Sequence, residues 1–341
     1  MESAHVMFIK PKRYIQLTSI LLLLLTGCSN VMSDNVKKFE WDATESGPEH
    51  YPMEIIKGDF IYKGGAERGL YIPSGGTLVD GWADPVSSHV TGDKYKPLPD
   101  KLDIYFFSYA EKQFYHGKFD LPYEKILRLF QQGVTNNPEH PTASRIMVGV
   151  APGGAVAVWV IGSGDRTEVF FGQAKKTELN PSVAFSLPFE NKAESDEYIE
   201  EGLIEVLEPE ELESLKKNGI PFGLWARYRN HYTWEPALTE GFSLSYIGFK
   251  FLNGERYKKS NMLSRPVPKE IAFKTVINNE ENIFIIKFDE FEVMEAFEKL
   301  GVNNQKVTLE FEPIIPRKLL KARIYNGKES ITLKKIVSKD W

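Results

Sequence analysis

Short segments rich in β-branched and aromatic residues constrain the fold of this chain more than any other feature. Several of them are separated by glycine pairs, Gly64-Gly65 and Gly75-Gly76 among them, which is typical of strands joined by tight turns. The strongest hairpin signal is Asn326-Gly327, because these residues readily adopt the positive φ angles of a two-residue turn. The sequence therefore predicts antiparallel sheets. The predicted strands are Lys57–Tyr62, Gly69–Ile72, Thr77–Trp82, Leu102–Tyr109, Gln113–Phe119, Arg145–Val150, Ala155–Ile161, Arg166–Phe171, Trp225–Trp234, Phe242–Phe251, Ile271–Ile277, Ile283–Phe288, Lys306–Phe311, Lys321–Tyr325 and Lys328–Leu333.

A few helices are predicted between the strands. One begins after Asp120, a suitable N-cap, and ends at Gly133, with apolar residues recurring every three and four positions. Another covers Asp289–Leu300. Between them, Glu190–Glu213 contains eleven acidic residues and one basic residue, Lys192, and its apolar residues keep a helical spacing. We therefore predict one or two amphipathic helices here, and an α+β fold of mainly antiparallel sheets with a few packed helices, in two β-rich lobes.

The first 28 residues have the pattern of a secretory signal. Basic residues up to Arg13 precede an apolar run that is shorter than the ~20 residues of a membrane-spanning helix. The run ends in Leu25-Thr26-Gly27-Cys28, which resembles the lipobox of bacterial lipoproteins. That resemblance implies cleavage before Cys28, lipidation of its sulfur with palmitate-type acyl chains and stable membrane attachment. The alternative is an ordinary signal peptide with an incidental cysteine. Either Met1 or Met7 is the start.

These features predict where in the cell the protein is located and how the chain is divided into segments and domains. A lipid-anchored protein facing the periplasm is expected, and Ser29 after the cysteine resembles the pattern of outer-membrane sorting. The predicted divisions are a signal peptide at 1–27, a lipidated cysteine and tether at 28–38, an α+β domain at 39–178, an acidic helical connector at 179–220 and a β-rich domain at 221–341.

Composition excludes several classes of protein. The chain has 341 residues and a formal net charge of −5, and its first 27 residues carry more basic than acidic groups, so the remainder is more acidic still. Nucleic-acid binding is therefore not expected, since phosphates require a basic surface. Cys28 is the only cysteine, which excludes disulfides and cysteine-based metal sites from the mature chain.

No catalytic motif stands out. The sequence lacks a nucleophile elbow and a phosphate-binding loop, and no two histidines have the spacing of a metal site, so neither a cofactor nor a metal is predicted. A pair of catalytic carboxylates needs no fixed spacing, and Asp59, Asp80 and Asp84 near predicted loops are its first candidates.

Two segments are candidates for binding a protein partner. The first is Trp225–Trp234, which is predicted to be a strand. A strand here places four residues on one face: Trp225, Arg227, Arg229 and His231. Tryptophan and arginine are common at interface hot spots. Its alternative role is a core strand with solvated arginines.

The second candidate segment is the acidic one. Glu200, Glu201, Glu210 and Glu211 are its candidate contact residues, because a row of acids attracts and orients a basic partner. The alternative is a solvated helical face.

A family resemblance comes from a combination of short segments in the first half. They are Glu40-Trp41 followed by Tyr51-Pro52, Gly81-Trp82, Pro99–Ile104, Phe107-Ser108-Tyr109, Phe114-Tyr115-x-Gly117, Leu121–Ile126 and Val148–Gly154. Together they resemble the proteobacterial lipoproteins of domain of unknown function 2931, from about Phe39 to Phe171 and more loosely to Trp234. The resemblance supplies no catalytic residues. It implies periplasmic immunity proteins, whose partners are type VI secretion effectors of the phospholipase type.

The leading hypothesis is a non-enzymatic envelope lipoprotein that binds and neutralises a toxic effector by covering its active site. It predicts a mostly convex or loop-edged contact surface, without a deep cleft of converging acids. The first alternative is an envelope hydrolase with a dispersed carboxylate site, which predicts a cleft with converging acids of perturbed pKa. The second is a structural or sugar-binding envelope lipoprotein, which predicts a shallow groove lined by aromatic residues.

Overall fold

The computed structural model describes residues 36–65, 68–87, 90–132, 145–162, 164–258, 264–277, 280–314 and 319–340. From Lys38 onward the chain forms one compact unit. The strands are β1 (Lys38–Glu40), β2 (Asp42–Ser46), β3 (Met53–Tyr62), β4 (Gly69–Tyr71), β5 (Thr77–Leu78), β6 (Tyr95–Pro97), β7 (Pro99–Ser108), β8 (Gln113–Asp120), β9 (Arg145–Ala151), β10 (Ala155–Ile161), β11 (Arg166–Gln173), β12 (Lys175–Thr177), β13 (His231–Leu238), β14 (Leu244–Phe251), β15 (Arg256–Lys258), β16 (Ser264–Pro266), β17 (Pro268–Ile277), β18 (Glu280–Phe288), β19 (Val307–Ile314), β20 (Leu319–Tyr325), β21 (Ser330–Leu333) and β22 (Ile336–Asp340). The helices are α1 (Tyr123–Gln132), α2 (Pro181–Ala184), α3 (Lys192–Val206), α4 (Pro209–Asn218), α5 (Leu224–Arg227) and α6 (Glu290–Leu300), with short 3₁₀ turns at Pro152–Gly154 and Val302–Asn304.

The largest sheet combines strands from both halves of the sequence. It contains nine strands in the order β2-β9-β10-β11-β15-β14-β17-β18-β22, and we call it the central sheet. Strand β15 follows the predicted connector in sequence, yet it pairs with β11 through Arg166 and Arg256. The central sheet thus crosses the predicted boundary at residue 220. The division into two domains stays a prediction.

Strands β9 and β10 form the middle of three layers because both of their faces are apolar. In β9, Ile146, Val148 and Val150 contact one core, whereas Met147 and Ala151 contact another. An apolar run without alternation is typical of a strand covered on both sides. The central sheet therefore separates two hydrophobic cores at this point.

A second sheet covers one side of these strands. Its order is β12-β8-β7-β3-β4, with β5 paired to β3, and we call it the N-terminal sheet. Phe60, Ile104 and Phe106 pack with Phe130 of α1 against the valines of β9 and β10. The predicted hairpin of β7 and β8 is present, with Lys101 opposite Asp120 and Ser108 opposite Gln113.

A third sheet lies on the other side of the central sheet. This C-terminal sheet has the order β16-β13-β19-β20-β21 and shares a core with α6 through Trp234, Leu309 and Phe297. The helix predicted at Asp289–Leu300 is confirmed as α6. The Asp289 side chain caps it by accepting a hydrogen bond from the Glu292 backbone N–H at 2.9 Å. The predicted hairpin at Asn326-Gly327 is also confirmed, with β20 and β21 on either side.

The acidic segment forms a helical layer outside the N-terminal sheet. It contains the two helices α3 and α4, as the amphipathic pattern predicts. Ile199 and Leu203 of α3 pack on Phe107 and Phe114 of the sheet, which leaves the other face of α3 toward solvent. The α+β class with mainly antiparallel sheets is therefore confirmed.

The predicted strand at Trp225–Trp234 is wrong. Its first part is the helix α5, and β13 begins only at His231. Leu224, Trp225 and Tyr228 are all buried. In a helix these three residues, at positions i, i+1 and i+4, lie on the same side and can be buried together. In a strand, Trp225 and Tyr228 would lie on opposite faces.

Two predicted boundaries also differ. Asp120 is the last residue of β8 and does not cap α1, because it continues the ladder opposite Lys101. The strand predicted at Thr77–Trp82 ends at Leu78. Gly81 and Ala83 have φ angles of 118° and 66°, which turn the chain out of the sheet.

Several predictions lie outside the described residues. These include the signal pattern with Cys28 and the predicted helix end at Gly133. None of the described helices is both long and apolar enough to cross a membrane.

Candidate functional site

The exposed face of α3 carries a row of glutamates. Glu197, Glu201 and Glu205 are spaced four residues apart, are all exposed, and form no ion pair with any described residue. We call these three residues the acidic ridge. Neighbouring side chains one turn apart lie close together on a helix, so the ridge concentrates negative charge along one line.

The other predicted acidic residues have different environments. Glu200 accepts a hydrogen bond from the Lys112 Nζ at 2.8 Å, and this contact lowers the pKa of Glu200. Glu211 lies 2.8 Å from the His50 Nδ1 and completes the capping box of α4. Glu210 is exposed in the first turn of α4. Of the four candidates, Glu201 belongs to the ridge and Glu200 and Glu211 are already paired.

The four candidates from Trp225 to His231 do not share a face. Trp225 is only 1% exposed and packs in the core. Arg227 forms a bidentate ion pair with Glu298 on α6. Arg229 pairs with Glu168 of β11 and is largely buried, while His231 is exposed at the start of β13. The structure therefore separates them into a core residue, two paired cations and one exposed histidine.

A cleft of about 290 Å³ opens between segments from both halves of the chain. We call it the Glu290 cleft. Its lining residues are Pro48, Glu49, His50, Tyr51, Gly81, Trp82, Leu224, Trp225, Tyr228, Leu252, Lys269, Phe288, Asp289, Glu290 and Phe291.

Glu290 is a partly buried carboxylate in the lining of this cleft. The Tyr228 hydroxyl donates a hydrogen bond to its Oε2 at 2.8 Å. Burial raises the pKa of Glu290, against smaller lowering effects of Tyr228 and Lys269. The same burial, with the charge of Glu290, raises the pKa values of Tyr228 and Tyr51. Glu290 therefore lies in surroundings that compensate its negative charge poorly.

The opposite wall contains the loop of Trp82. Trp82 is 7% exposed, and its indole N–H has no hydrogen-bond partner among the described residues. Near it, the Lys269 Nζ is 3.5 Å from one Asp84 carboxylate oxygen, and Arg166 lies 3.9 Å from the other, so Lys269 shares this carboxylate at the rim. A buried N–H without an acceptor is uncommon in proteins.

A second cavity of about 310 Å³ adjoins the cleft and shares His50, Tyr51 and Phe291 with it. Four residues of α4 line the rest: Glu210, Glu211, Ser214 and Leu215. The cleft thus continues toward the acidic helical layer.

The predicted carboxylate candidates are not gathered at one place. Asp59 lies within β3, Asp80 is exposed after β5, and Asp84 pairs with Lys269 at the rim of the cleft. In the described part of the chain, no group of three or more histidine, cysteine or acidic side chains has the geometry to hold a metal.

Four residues of the cleft were not predicted from the sequence as site residues: Tyr51, Tyr228, Lys269 and Glu290. They come from four separate segments, so no local spacing connects them. The one available signal was the Asp289-Glu290 pair, which is equally typical of a capped helix start with an acid in its first turn.

Together, these features define an α+β protein of stacked, mainly antiparallel sheets, with an acidic helical layer outside and a cleft lined by aromatic residues. The chain belongs to the family described as protein of unknown function (DUF2931), which matches residues 28–223. This confirms the resemblance carried by the segments of the first half. The match ends just before α5, so most of the Glu290 cleft lies beyond it. No curated protein and no solved structure matches the chain.

Proposed function

We propose that this chain is a membrane-anchored periplasmic lipoprotein of the outer membrane that binds a protein, and that it is an immunity protein neutralising a type VI secretion effector of the phospholipase type. The signal pattern ending at Cys28 supports the anchor. The family resemblance supports the kind of partner.

The acidic ridge is the observation that carries the binding function. Glutamates four residues apart on a helix repel each other and destabilise it by about 0.2–0.5 kcal/mol per pair. In the described structure no basic side chain forms an ion pair with Glu197, Glu201 or Glu205. A partner with a basic surface relieves the repulsion on binding and is attracted over a distance, which raises the association rate.

Reversing the charge of the ridge tests this function. The candidate effector for this test is the product of the gene next to the one that encodes this chain. The triple variant Glu197→Lys, Glu201→Lys, Glu205→Lys is expected to bind it at least about tenfold more weakly, and to lose protection of cells expressing it in the periplasm. Lysine has a helix propensity similar to that of glutamate, and the row keeps like charges, so the stability of α3 changes little. Binding is measured by pull-down and titration with the full chain in a non-ionic detergent.

The matched control changes three other exposed glutamates, Glu240→Lys, Glu280→Lys and Glu295→Lys, which gives the same net charge. It is expected to retain most binding and protection. Equal losses in both variants contradict a role for the ridge. No binding and no protection by the wild-type chain contradict the immunity function.

The anchor has its own test. Replacing Cys28 with alanine is expected to abolish incorporation of labelled palmitate and to release the chain from the membrane fraction, because the acyl chains supply the membrane affinity. Membrane fractionation and metabolic labelling measure both effects. Unchanged labelling in the variant contradicts lipidation at Cys28.

Hydrolysis in the cleft is a second candidate function, favoured by the raised pKa of Glu290. A carboxylate pair needs a second acid, and Asp289 already caps α6 while Glu49 is exposed. A hydrolase loses turnover of envelope polymers on Glu290→Gln, whereas an immunity protein that acts through the ridge keeps its protection.

A further inference from the structure

The Glu290 cleft has walls that suit an organic ligand. Six aromatic rings line it, from Tyr51, Trp82, Trp225, Tyr228, Phe288 and Phe291. Tyr51 packs edge-on against Trp225 at 5.7 Å between ring centroids, so these rings come from distant segments and hold each other in place. Phe291 is 46% exposed at the mouth. Aromatic faces carry partial negative charge and attract cations that approach them.

The charges of the cleft point to the same kind of ligand. Glu49, Asp289 and Glu290 line it. The basic residues beside them are Lys269, which pairs with Asp84, His50, which pairs with Glu211, and Lys335, whose Nζ is 3.7 Å from an Asp289 carboxylate oxygen. No described cation lies within ion-pair distance of Glu290, and no described donor reaches its Oε1. One oxygen of a partly buried carboxylate is thus available to a ligand.

We propose that the Glu290 cleft binds an organic cation, an ammonium or guanidinium group on a short apolar stem. The cation contacts the Glu290 carboxylate and the aromatic rings, and the stem packs on Leu224, Leu252 and Phe288 at the base. A charged hydrogen bond in apolar surroundings is stronger than one in water, which favours a charged ligand over a neutral one of the same shape. The proposal does not depend on the immunity function, because the chain binds this ligand without any partner protein.

Binding of N-butylguanidinium to the full chain in a non-ionic detergent tests the proposal. We expect saturable binding at one site, measured by calorimetry and by a change in tryptophan fluorescence, because Trp82 and Trp225 line the cleft. N-butylurea has nearly the same shape without the charge and is expected to bind at least about tenfold more weakly. Pentanoate, an anion, is expected not to bind. Equal binding of the urea, or no saturable binding of the guanidinium, overturns the proposal.

Two matched variants locate the site. Glu290→Gln removes the charge and keeps an acceptor for Tyr228, and we expect it to weaken guanidinium binding about tenfold. Glu54→Gln is the control, since Glu54 is also a buried glutamate that accepts a tyrosine hydroxyl, from Tyr109 at 2.6 Å, and it does not line the cleft. Unchanged binding in Glu290→Gln, or an equal loss in Glu54→Gln, overturns the assignment. If a variant fails to fold, the wild-type comparison of guanidinium with urea decides the outcome.

Discussion

Replacing Arg229 with methionine is expected to lower the free energy of unfolding by about 3–5 kcal/mol at pH 8. The Arg229 guanidinium binds both carboxylate oxygens of Glu168, at 2.7 and 2.6 Å, and lies 3.6 Å from the centroid of the Phe171 ring. The two side chains are only 18% and 12% exposed. Removing the arginine leaves a buried carboxylate without its cation, which is far more destabilising than the loss of a surface ion pair.

This loss should depend on pH in a defined direction. Burial raises the pKa of Glu168 from its ordinary 4.5 to about 7, against the lowering effect of Arg229. Without Arg229 that pKa lies higher still, so the folded variant retains a proton that the unfolded chain releases. The stability that this proton supplies is complete below pH 4.5 and is lost as the pH rises through the folded value. The penalty is therefore smaller at pH 5 than at pH 8.

Arg227→Met is the matched control for this experiment. Arg227 makes a similar bidentate contact with Glu298, but these side chains are 48% and 34% exposed, so we expect a loss of only about 0.2–1 kcal/mol with little pH dependence. Urea denaturation of both variants at pH 5 and pH 8 measures the effects. Similar losses in the two variants contradict the claim that burial makes the Arg229–Glu168 pair important.

Replacing Trp159 with alanine is expected to destabilise the fold by about 3–5 kcal/mol. Trp159 is fully buried in β10, packs edge-on against Trp82 at 5.1 Å, and donates its indole N–H to the Asn253 carbonyl at 3.0 Å. The ring thus contacts segments on both sides of the predicted connector. Its removal leaves a cavity, and the Asn253 carbonyl loses a hydrogen bond.

The shape of the unfolding transition tests the predicted division into two domains. If the central sheet couples both halves, urea transitions followed by far-UV circular dichroism and by tryptophan fluorescence coincide in the wild type and shift together in Trp159→Ala. Phe222→Ala, at a residue that is 63% exposed, is the control and should change the free energy of unfolding by less than about 0.5 kcal/mol. Two separate transitions, with only one shifted by Trp159→Ala, support independent lobes instead.

The sequence by itself determined the elements whose signals are local. The Asp289 cap and the apolar stripe after it predicted α6, and Asn326-Gly327 predicted the hairpin of β20 and β21. The same holds for the two helices of the acidic segment, because helix caps, turn dipeptides and amphipathic periodicity depend on residues a few positions apart. The acidic ridge was therefore within the reach of sequence analysis.

Tertiary structure decided what depends on distant partners. The aromatic residues of Trp225–Trp234 predicted a strand, which places Trp225 and Tyr228 on opposite faces. Both are buried beside the Glu290 cleft, and a helical turn satisfies that burial. The pairing of β11 with β15 and the gathering of Tyr51, Trp82, Tyr228 and Glu290 around one cleft likewise join segments far apart in the chain. Burial and charge at these places result from how the sheets stack, and no periodicity within a single segment encodes them.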